Sequence, residues 1–249
     1  MPLALVTGPT AGIGRAFATA LARDGHDLVL VARDATRLES LATELRAAYG
    51  VAAEVLAADL GDLDDTRRVE KRLTSEPFDM LVNNAGFGLR LSFEDNDLAV
   101  EQLGLDVMVR AVMRLTHAAI GPMRSRGHGD VVNVSSVAGF MLRGTYGAHK
   151  AWVTSFSRWA SLHYAPDSVR VMALCPGFVR TEFHQRMDAD MSGIPRWMWL
   201  DADRVVADAL ADLRSGKAVS IPSRRYRALT TASRVAPPRL VERLARRGR

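Results

Sequence analysis

Short apolar runs of four to eight residues alternate with stretches of helical period along most of the chain, and this alternation limits the fold more than any other feature. Leu3–Thr7, Asp27–Ala32, Val51–Ala58, Asp79–Val82, Asp130–Val134 and Val169–Leu174 read as strands, and Lys217–Ile221 supplies a last one. Between them lie helical patterns such as Leu38, Leu41, Ala42 and Leu45. Strand–helix–strand repeats of this kind imply a parallel sheet of about seven strands with helices on both faces, which is why the strands are apolar throughout. At 249 residues, 48% hydrophobic and 24% charged, the chain fits one α/β domain, residues 1–222, followed by a basic tail, 223–249.

Where the first strand gives way to the first helix the sequence reads Thr7-Gly8-Pro9-Thr10-Ala11-Gly12-Ile13-Gly14-Arg15. Glycine lets the backbone take positive φ and approach a phosphate closely, and a helix N-terminus offers unpaired amides and positive dipole to an anion. With 19 glycines in the chain, this spacing is expected by chance about 0.1 times; its position after a strand therefore carries the inference, against a purely structural turn.

Tyr146-Gly-Ala-His-Lys150 places a phenol and an ammonium one turn apart on one helix face. The chain has 30 Arg but only three Lys, at 71, 150 and 217, so a position that escapes the arginine bias points to a need for an ammonium. A phenol of pKa about 10 is a poor acid or base near neutrality, and a neighbouring cation lowers it. Ser135-Ser136 ends the preceding strand within folding reach, where a hydroxyl can bind the same substrate oxygen.

Together these motifs resemble the short-chain dehydrogenase/reductase family in its compact classical form, over roughly Leu3 to Ile221. Thr7-Gly8 through Gly12-Ile13-Gly14 is similar to the family's cofactor turn, and Asn83-Asn84-Ala85-Gly86 to its motif after the fourth strand. Asp59-Leu60 resembles its adenine contact, and Pro176-Gly177, with Val179 and Thr181, its nicotinamide-side loop. Ser136, Tyr146 and Lys150 match its catalytic serine, tyrosine and lysine. The resemblance implies a Rossmann-like doubly wound sheet, a nicotinamide cofactor, hydride exchange with a carbonyl or alcohol, and a homodimer or homotetramer joined through the long helices around Leu103–Met123 and Ala148–Tyr164. In it Tyr146 is the general acid/base, Ser136 binds the reacting oxygen, and Lys150 holds the nicotinamide ribose and depresses the tyrosine pKa. Thr10 stands among the cofactor-binding residues of the turn. The second strand ends Val31-Ala32-Arg33, with no acid to bind a ribose 2′-hydroxyl; Arg33, with Arg15 as a second clamp, suits the 2′-phosphate of NADP, so NADPH is expected over NADH.

Two departures from the family pattern stand out. Aligning Leu105–Ala111 with the helix that usually carries an Asn puts Met108 at its place, so proton resupply is expected to use another route or to slow. Ser136 precedes Tyr146 by ten residues, where the family more often has about thirteen; this shortens the substrate-side loop and leaves Ser135 as an alternative to Ser136.

Between 182 and 200, where the family places its substrate lid, stand Phe183, Met187, Met191, Ile194, Trp197, Met198, Trp199 and Leu200. They suggest a hydrophobic ketone, aldehyde or secondary alcohol, or simple packing of lid on core. None of the six histidines has ligand spacing, so no metal is expected. The lone Cys175 reads as a small buried group. Apolar runs too short for a membrane span, and a first strand starting at Leu3, predict a cytoplasmic protein without a signal peptide.

The net charge of +5 is uneven: Arg214–Arg249 holds eleven Lys or Arg and one acid, so this stretch carries +10 and the remainder −5. With Tyr226 as its one aromatic, it does not read as a nucleic-acid site. A solvated helix is the plain reading. A peripheral membrane or partner contact through Leu240, Val241, Leu244 and Ala245 is the alternative. For the whole chain the competitor to an enzyme is a dinucleotide-binding sensor or scaffold, motivated by Met108 and the tail.

Overall fold

The computed structural model describes residues 1–89, 91–181 and 193–235. Seven parallel strands form one sheet: β1 (Leu3–Thr7), β2 (Asp27–Ala32), β3 (Ala53–Ala57), β4 (Met80–Asn83), β5 (Gly129–Val134), β6 (Val169–Leu174) and β7 (Val219–Ser220), in the order β3-β2-β1-β4-β5-β6-β7. The expected strands are all present; the third and last are shorter than their apolar runs. The order in which strands are added reverses between β1 and β4, so a crevice opens there at the carboxyl ends of the strands, the usual ligand position in such sheets.

Helices cover both faces. On one side α1 (Gly12–Arg23), α2 (Ala35–Tyr49) and α7 (Ala202–Arg214) pack Phe17, Leu21, Leu38, Leu45, Val206 and Leu213 onto Val6, Leu30, Val82, Val132 and Leu174. On the other, α3 (Leu63–Ser75), α5 (Ala111–Arg126) and α6 (Gly144–Tyr164) pack Val69, Leu73, Leu115, Met123 and Ala160 onto the alternate strand residues Leu5, Val29, Leu81, Val131 and Val171. Side chains along a strand alternate faces, and here both parities are fully buried, which accounts for the unbroken apolar runs.

Helix starts are marked by aspartates: Asp34, Asp62 and Asp201 accept from the backbone three residues on, and Asp97 does the same two residues on at the head of α4 (Leu98–Leu105). The expected single helix around Leu103–Met123 is instead α4 and α5 joined by one π-helical turn, Asp106–Arg110. Such turns carry one extra residue within the helical ladder and mark functional segments.

Of the stretch set apart as a basic tail, the described part is helix α8 (Arg224–Val235), and its Tyr226 and Thr230 are buried against the domain. Tyr226 therefore belongs to the core rather than to a solvated face. The apolar face expected at Leu240–Ala245 lies outside the described residues, as do Phe183, Met187 and Met191. Among the described residues no helix is long and apolar enough to cross a membrane.

Candidate active site

The glycine turn sits at the β1/β4 crevice. Gly8 and Gly12 have φ of +63° and +55°, a region that L side chains rarely adopt. A Cβ on Gly14 would collide with the Gly8 carbonyl, and one on Gly12 would lie 2.7 Å from Thr181 Cγ2. Unlike the helices capped by aspartate, α1 begins at Ala11 with no side-chain cap and no acid in its first turn. Its leading amides and its positive end are left for an anion, so the turn fits a pyrophosphate. Ile13 packs on the core beneath.

The turn is tied to β4 by a compact network. Asn84 Nδ2 donates to the carbonyls of Thr7 (2.9 Å) and Gly8 (3.0 Å), while the backbone amides of Asn84 and Ala85 donate to Thr7 Oγ1 (2.9 and 3.0 Å). Asp59 Oδ1 accepts from the Gly61 amide at 2.9 Å, and Leu60 is buried beside it. Of the expected cations, Arg33 has a side chain 72% exposed and lies 4.0 Å from Asp59, whereas Arg15 pairs with Glu44 at 2.7 Å and so is turned toward α2. A third, Arg37, was not singled out in the sequence: its Nη2 donates to the Thr10 carbonyl at 3.1 Å, directly at the turn. Its position one turn into a helix capped by Asp34 was the available signal.

Across the crevice the structure brings Ser136, Tyr146 and Lys150 together. Tyr146 is hydrogen-bonded to Ser136, and Lys150 Nζ lies 5.8 Å from the Tyr146 ring centroid while donating to the Val134 carbonyl at 2.8 Å. Ser135 takes no part: it is buried, donates to the Lys150 carbonyl (2.7 Å) and shares a bond with Thr154 Oγ1 (2.8 Å). Ser136 Oγ also accepts from the Ala138 amide at 3.1 Å, which fixes the hydroxyl. The short link from Ser136 to Tyr146 is taken up by a 3-10 turn, Val137–Phe140.

The electrostatics differ from the expectation that Lys150 holds the tyrosine low. Burial pushes the Tyr146 phenol up to about 12, opposed by the Ser136 hydrogen bond and the charge of Arg143. Burial also pulls Lys150 down to about 8, since a desolvated ammonium favours its neutral form. Cys175 is buried and its thiol is pushed up to about 11 by desolvation, the mark of an inert packing residue.

Met108 is fully buried in the π turn, where a Cβ on Gly86 would touch its Cγ (3.4 Å) and sit 3.7 Å from Lys150 Nζ. A thioether thus fills the space below the lysine. Beside it, His149 and Glu101 are both buried, and each has one atom, Nδ1 and Oε2, with no partner among the described residues; Asn96 Nδ2 donates to the other Glu101 oxygen at 2.8 Å. Burial lowers the His149 pKa, with Lys150 acting in the same sense and Glu101 against it. A further buried set went unread in the sequence: Asn83 Nδ2 donates to Thr116 Oγ1 (3.1 Å) and Asn133 Oδ1 (2.9 Å), and Asn133 Nδ2 to Ser157 Oγ (3.0 Å). It joins β4, β5, α5 and α6, and no local spacing announces it.

On the remaining side, the carbonyl of Pro176 accepts from Val137 at 3.0 Å. Val179 bridges Leu200, and the Leu200 amide donates to Phe178 at 2.7 Å, so the two ends of the expected lid meet in a neck. Ile194, Met198 and Trp199 are half-buried there, whereas Trp197 is exposed. Among the described residues no three His, Cys, Asp or Glu converge to hold a metal.

Comparison with known proteins matches a family model described as short chain dehydrogenase to residues 2–192. An acetoacetyl-CoA reductase from Allochromatium vinosum is 32% identical over 82% of this chain and 88% of its own length. Very-long-chain 3-oxoacyl-CoA reductase from Anas platyrhynchos is 31% identical over 72% of this chain, and the match spans 60% of that enzyme's length. Among solved structures, a short-chain dehydrogenase from Sphingobium yanoikuyae in complex with NADPH superposes with a TM-score of 0.87 at 36% identity, covering 94% of each chain. The bulky-bulky ketone specific alcohol dehydrogenase from Comamonas testosteroni follows with a TM-score of 0.82 at 32% identity, covering 94% of this chain and 92% of its own.

Proposed function

The chain belongs to the short-chain dehydrogenase family, and on that premise we propose that it is an NADP(H)-dependent oxidoreductase of hydrophobic ketones, aldehydes or secondary alcohols. The observation that carries the reading is the Tyr146 hydroxyl hydrogen-bonded to Ser136 with Lys150 alongside, at the carboxyl end of the sheet next to an uncapped, glycine-rich helix start. Thr7–Gly14 holds the pyrophosphate, Asp59 and Leu60 the adenine, and Arg33, aided by Arg37, the 2′-phosphate, while Arg15 stays with Glu44. Asn84, Ala85, Gly86, Tyr146 and Lys150 flank the nicotinamide ribose, and Pro176, Gly177, Val179 and Thr181 the nicotinamide.

When bound, the reduced cofactor supplies a hydride to a carbonyl carbon. Tyr146, a phenol protonated at neutral pH and raised further by burial, gives its proton to the carbonyl oxygen. Ser136 donates to that same oxygen as negative charge develops on it. Lys150, charged below about 8, holds the ribose and lends positive charge to the tyrosine left behind.

The apolar residues at the lid neck, and the bulky ketones named for the Comamonas relative, support an apolar carbonyl substrate. Along α6, Trp152, Phe156, Trp159 and His163 form a ring ladder with centroids 4.9 to 6.0 Å apart and Trp159 exposed. A second copy covering this face gives the expected homodimer, and two such pairs a tetramer. The reduced, buried Cys175 suits the cytoplasm.

The test is NADPH oxidation with a panel of bulky apolar ketones. Tyr146→Phe should lower kcat by about 10²–10⁴-fold with NADPH still bound. Binding without turnover, indifferent to Tyr146→Phe, sinks the enzyme reading in favour of a dinucleotide sensor. Arg33→Ala should weaken NADPH about tenfold relative to NADH, the loss of one charge-assisted contact. An unchanged ratio removes the argument for NADP.

A further inference from the structure

The matched family region ends at residue 192, yet helix α8, beyond it, reaches three segments that frame the catalytic end. Tyr226, 3% exposed, is the centre of that contact. Its ring lies flush on Gly177, so that a Cβ there would fall within the ring atoms. Its hydroxyl accepts from the Phe178 amide (3.1 Å) and donates to the Met198 carbonyl (2.8 Å), joining the two strands of the neck. On either side, the Arg225 guanidinium donates to the Trp197 carbonyl and stacks over the Trp197 ring, and Ser233 Oγ donates to the Phe140 carbonyl (3.2 Å) in the turn between Ser136 and Tyr146. The half-buried Phe178 amide and the Tyr226 hydroxyl thus satisfy one another across 48 residues of sequence.

We propose that Tyr226 is a positioning residue for the nicotinamide-side loop: its ring is the floor under Gly177, and its hydroxyl fixes the height at which residues 176–178 meet the cofactor. This rests on the reading above that the loop flanks the nicotinamide. The C-terminal helix is then a working part of the cofactor site rather than an appendage. Only glycine at 177 lets the loop lie on the ring, and only a phenol at 226 serves both neck strands at once.

The full-length chain, NADPH and one bulky ketone suffice for the test. Tyr226→Phe keeps the ring and removes the hydroxyl, so the chain should still bind one NADPH per molecule, with Kd raised about 5- to 10-fold, the scale of one or two net hydrogen bonds, while KM for the ketone stays within about twofold. A merely structural role would lower the bound stoichiometry and melting temperature and leave Kd alone, and that result overturns the proposal. As a second arm, Gly177→Ala should cost more than Tyr226→Phe, and Tyr226→Leu in the same chain should recover part of the NADPH affinity by making room for the new methyl group. Absence of any recovery overturns the proposed contact. A wild-type chain that binds neither NADPH nor NADH overturns both this inference and the functional reading. Normal wild-type binding and turnover with an indifferent Tyr226→Phe overturns this inference alone.

Discussion

Two buried polar clusters meet the same helix, α6, two turns apart, and they are finished differently. Around Ser157 the set Asn83–Thr116–Asn133–Ser157 closes its hydrogen bonds on itself across four elements. Around Lys150 and His149 the polar groups are left partly open: among the described residues His149 Nδ1 and Glu101 Oε2 are buried without partners, and Lys150 and Tyr146 both have pKa values displaced by burial. A satisfied buried network specifies and stiffens, whereas unsatisfied or neutralised charges cost the fold free energy. The contrast teaches that α6 is held in register by the first cluster so that the second can remain reactive.

Replacing the lysine is the severest way to break this comparison. Lys150→Met should lower turnover by about 10²–10⁴-fold and yet raise the melting temperature of the cofactor-free chain by a few degrees. The folded pKa of about 8 lies below the ordinary 10.5, so the unfolded chain binds the proton across that window and the fold does not. Stability tied to this group therefore rises with pH from about 8 to 10.5 and is reduced, by on the order of 3 kcal/mol, at neutrality. Thermal melts at pH 7 and pH 10 on both chains check it; a Lys150→Met chain less stable at pH 7 contradicts the assignment of the second cluster as costly.

The opposite sign is expected in the closed network. Asn133→Ala strands the Ser157 hydroxyl and one bond of Asn83 and leaves a small cavity. The cost should be about 2–3 kcal/mol, which lowers the melting temperature by roughly 4–12 °C for a chain of this size. A shift under one degree would mean the network contributes little to holding α6. The smallest effect belongs to His149. Its pKa is depressed by burial, with Glu101 and Lys150 the charged groups beside it, so its share of stability is full above the ordinary value of 6.5 and falls as pH drops below it. His149→Gln should flatten the wild-type loss of melting temperature between pH 7 and 5.5, and unchanged curves would show that the imidazole is not uncomfortable there.

Legibility in the sequence followed how local each signal was. The glycine turn and the Tyr146-x-x-x-Lys150 pair are short-range patterns, and each stands in the structure at the element expected of it. The choice between Ser135 and Ser136 was open because neighbouring residues at a strand end point opposite ways; packing against Lys150 and Thr154 turned Ser135 inward. For the tyrosine, the pattern displays the adjacent ammonium but not the desolvation that pushes the phenol up. Met108 was legible as a departure, but the π turn that carries it was not, because one inserted residue hardly alters an apolar periodicity.

By itself, then, the sequence determined the doubly wound sheet and placed the glycine turn and the Tyr146–Lys150 pair, because strand and helix periods and motif spacing act within a few turns of chain. Only the tertiary structure decided that Arg15 is spent on Glu44, that Asn133 closes a network with Asn83 and Ser157, and that Tyr226 seats itself under Gly177. Those pairings span 24 to 50 residues of chain; the ones away from the Arg15–Glu44 surface pair exist because burying apolar surface on both faces of the sheet forces distant polar groups into the same dry space, where each must find a partner.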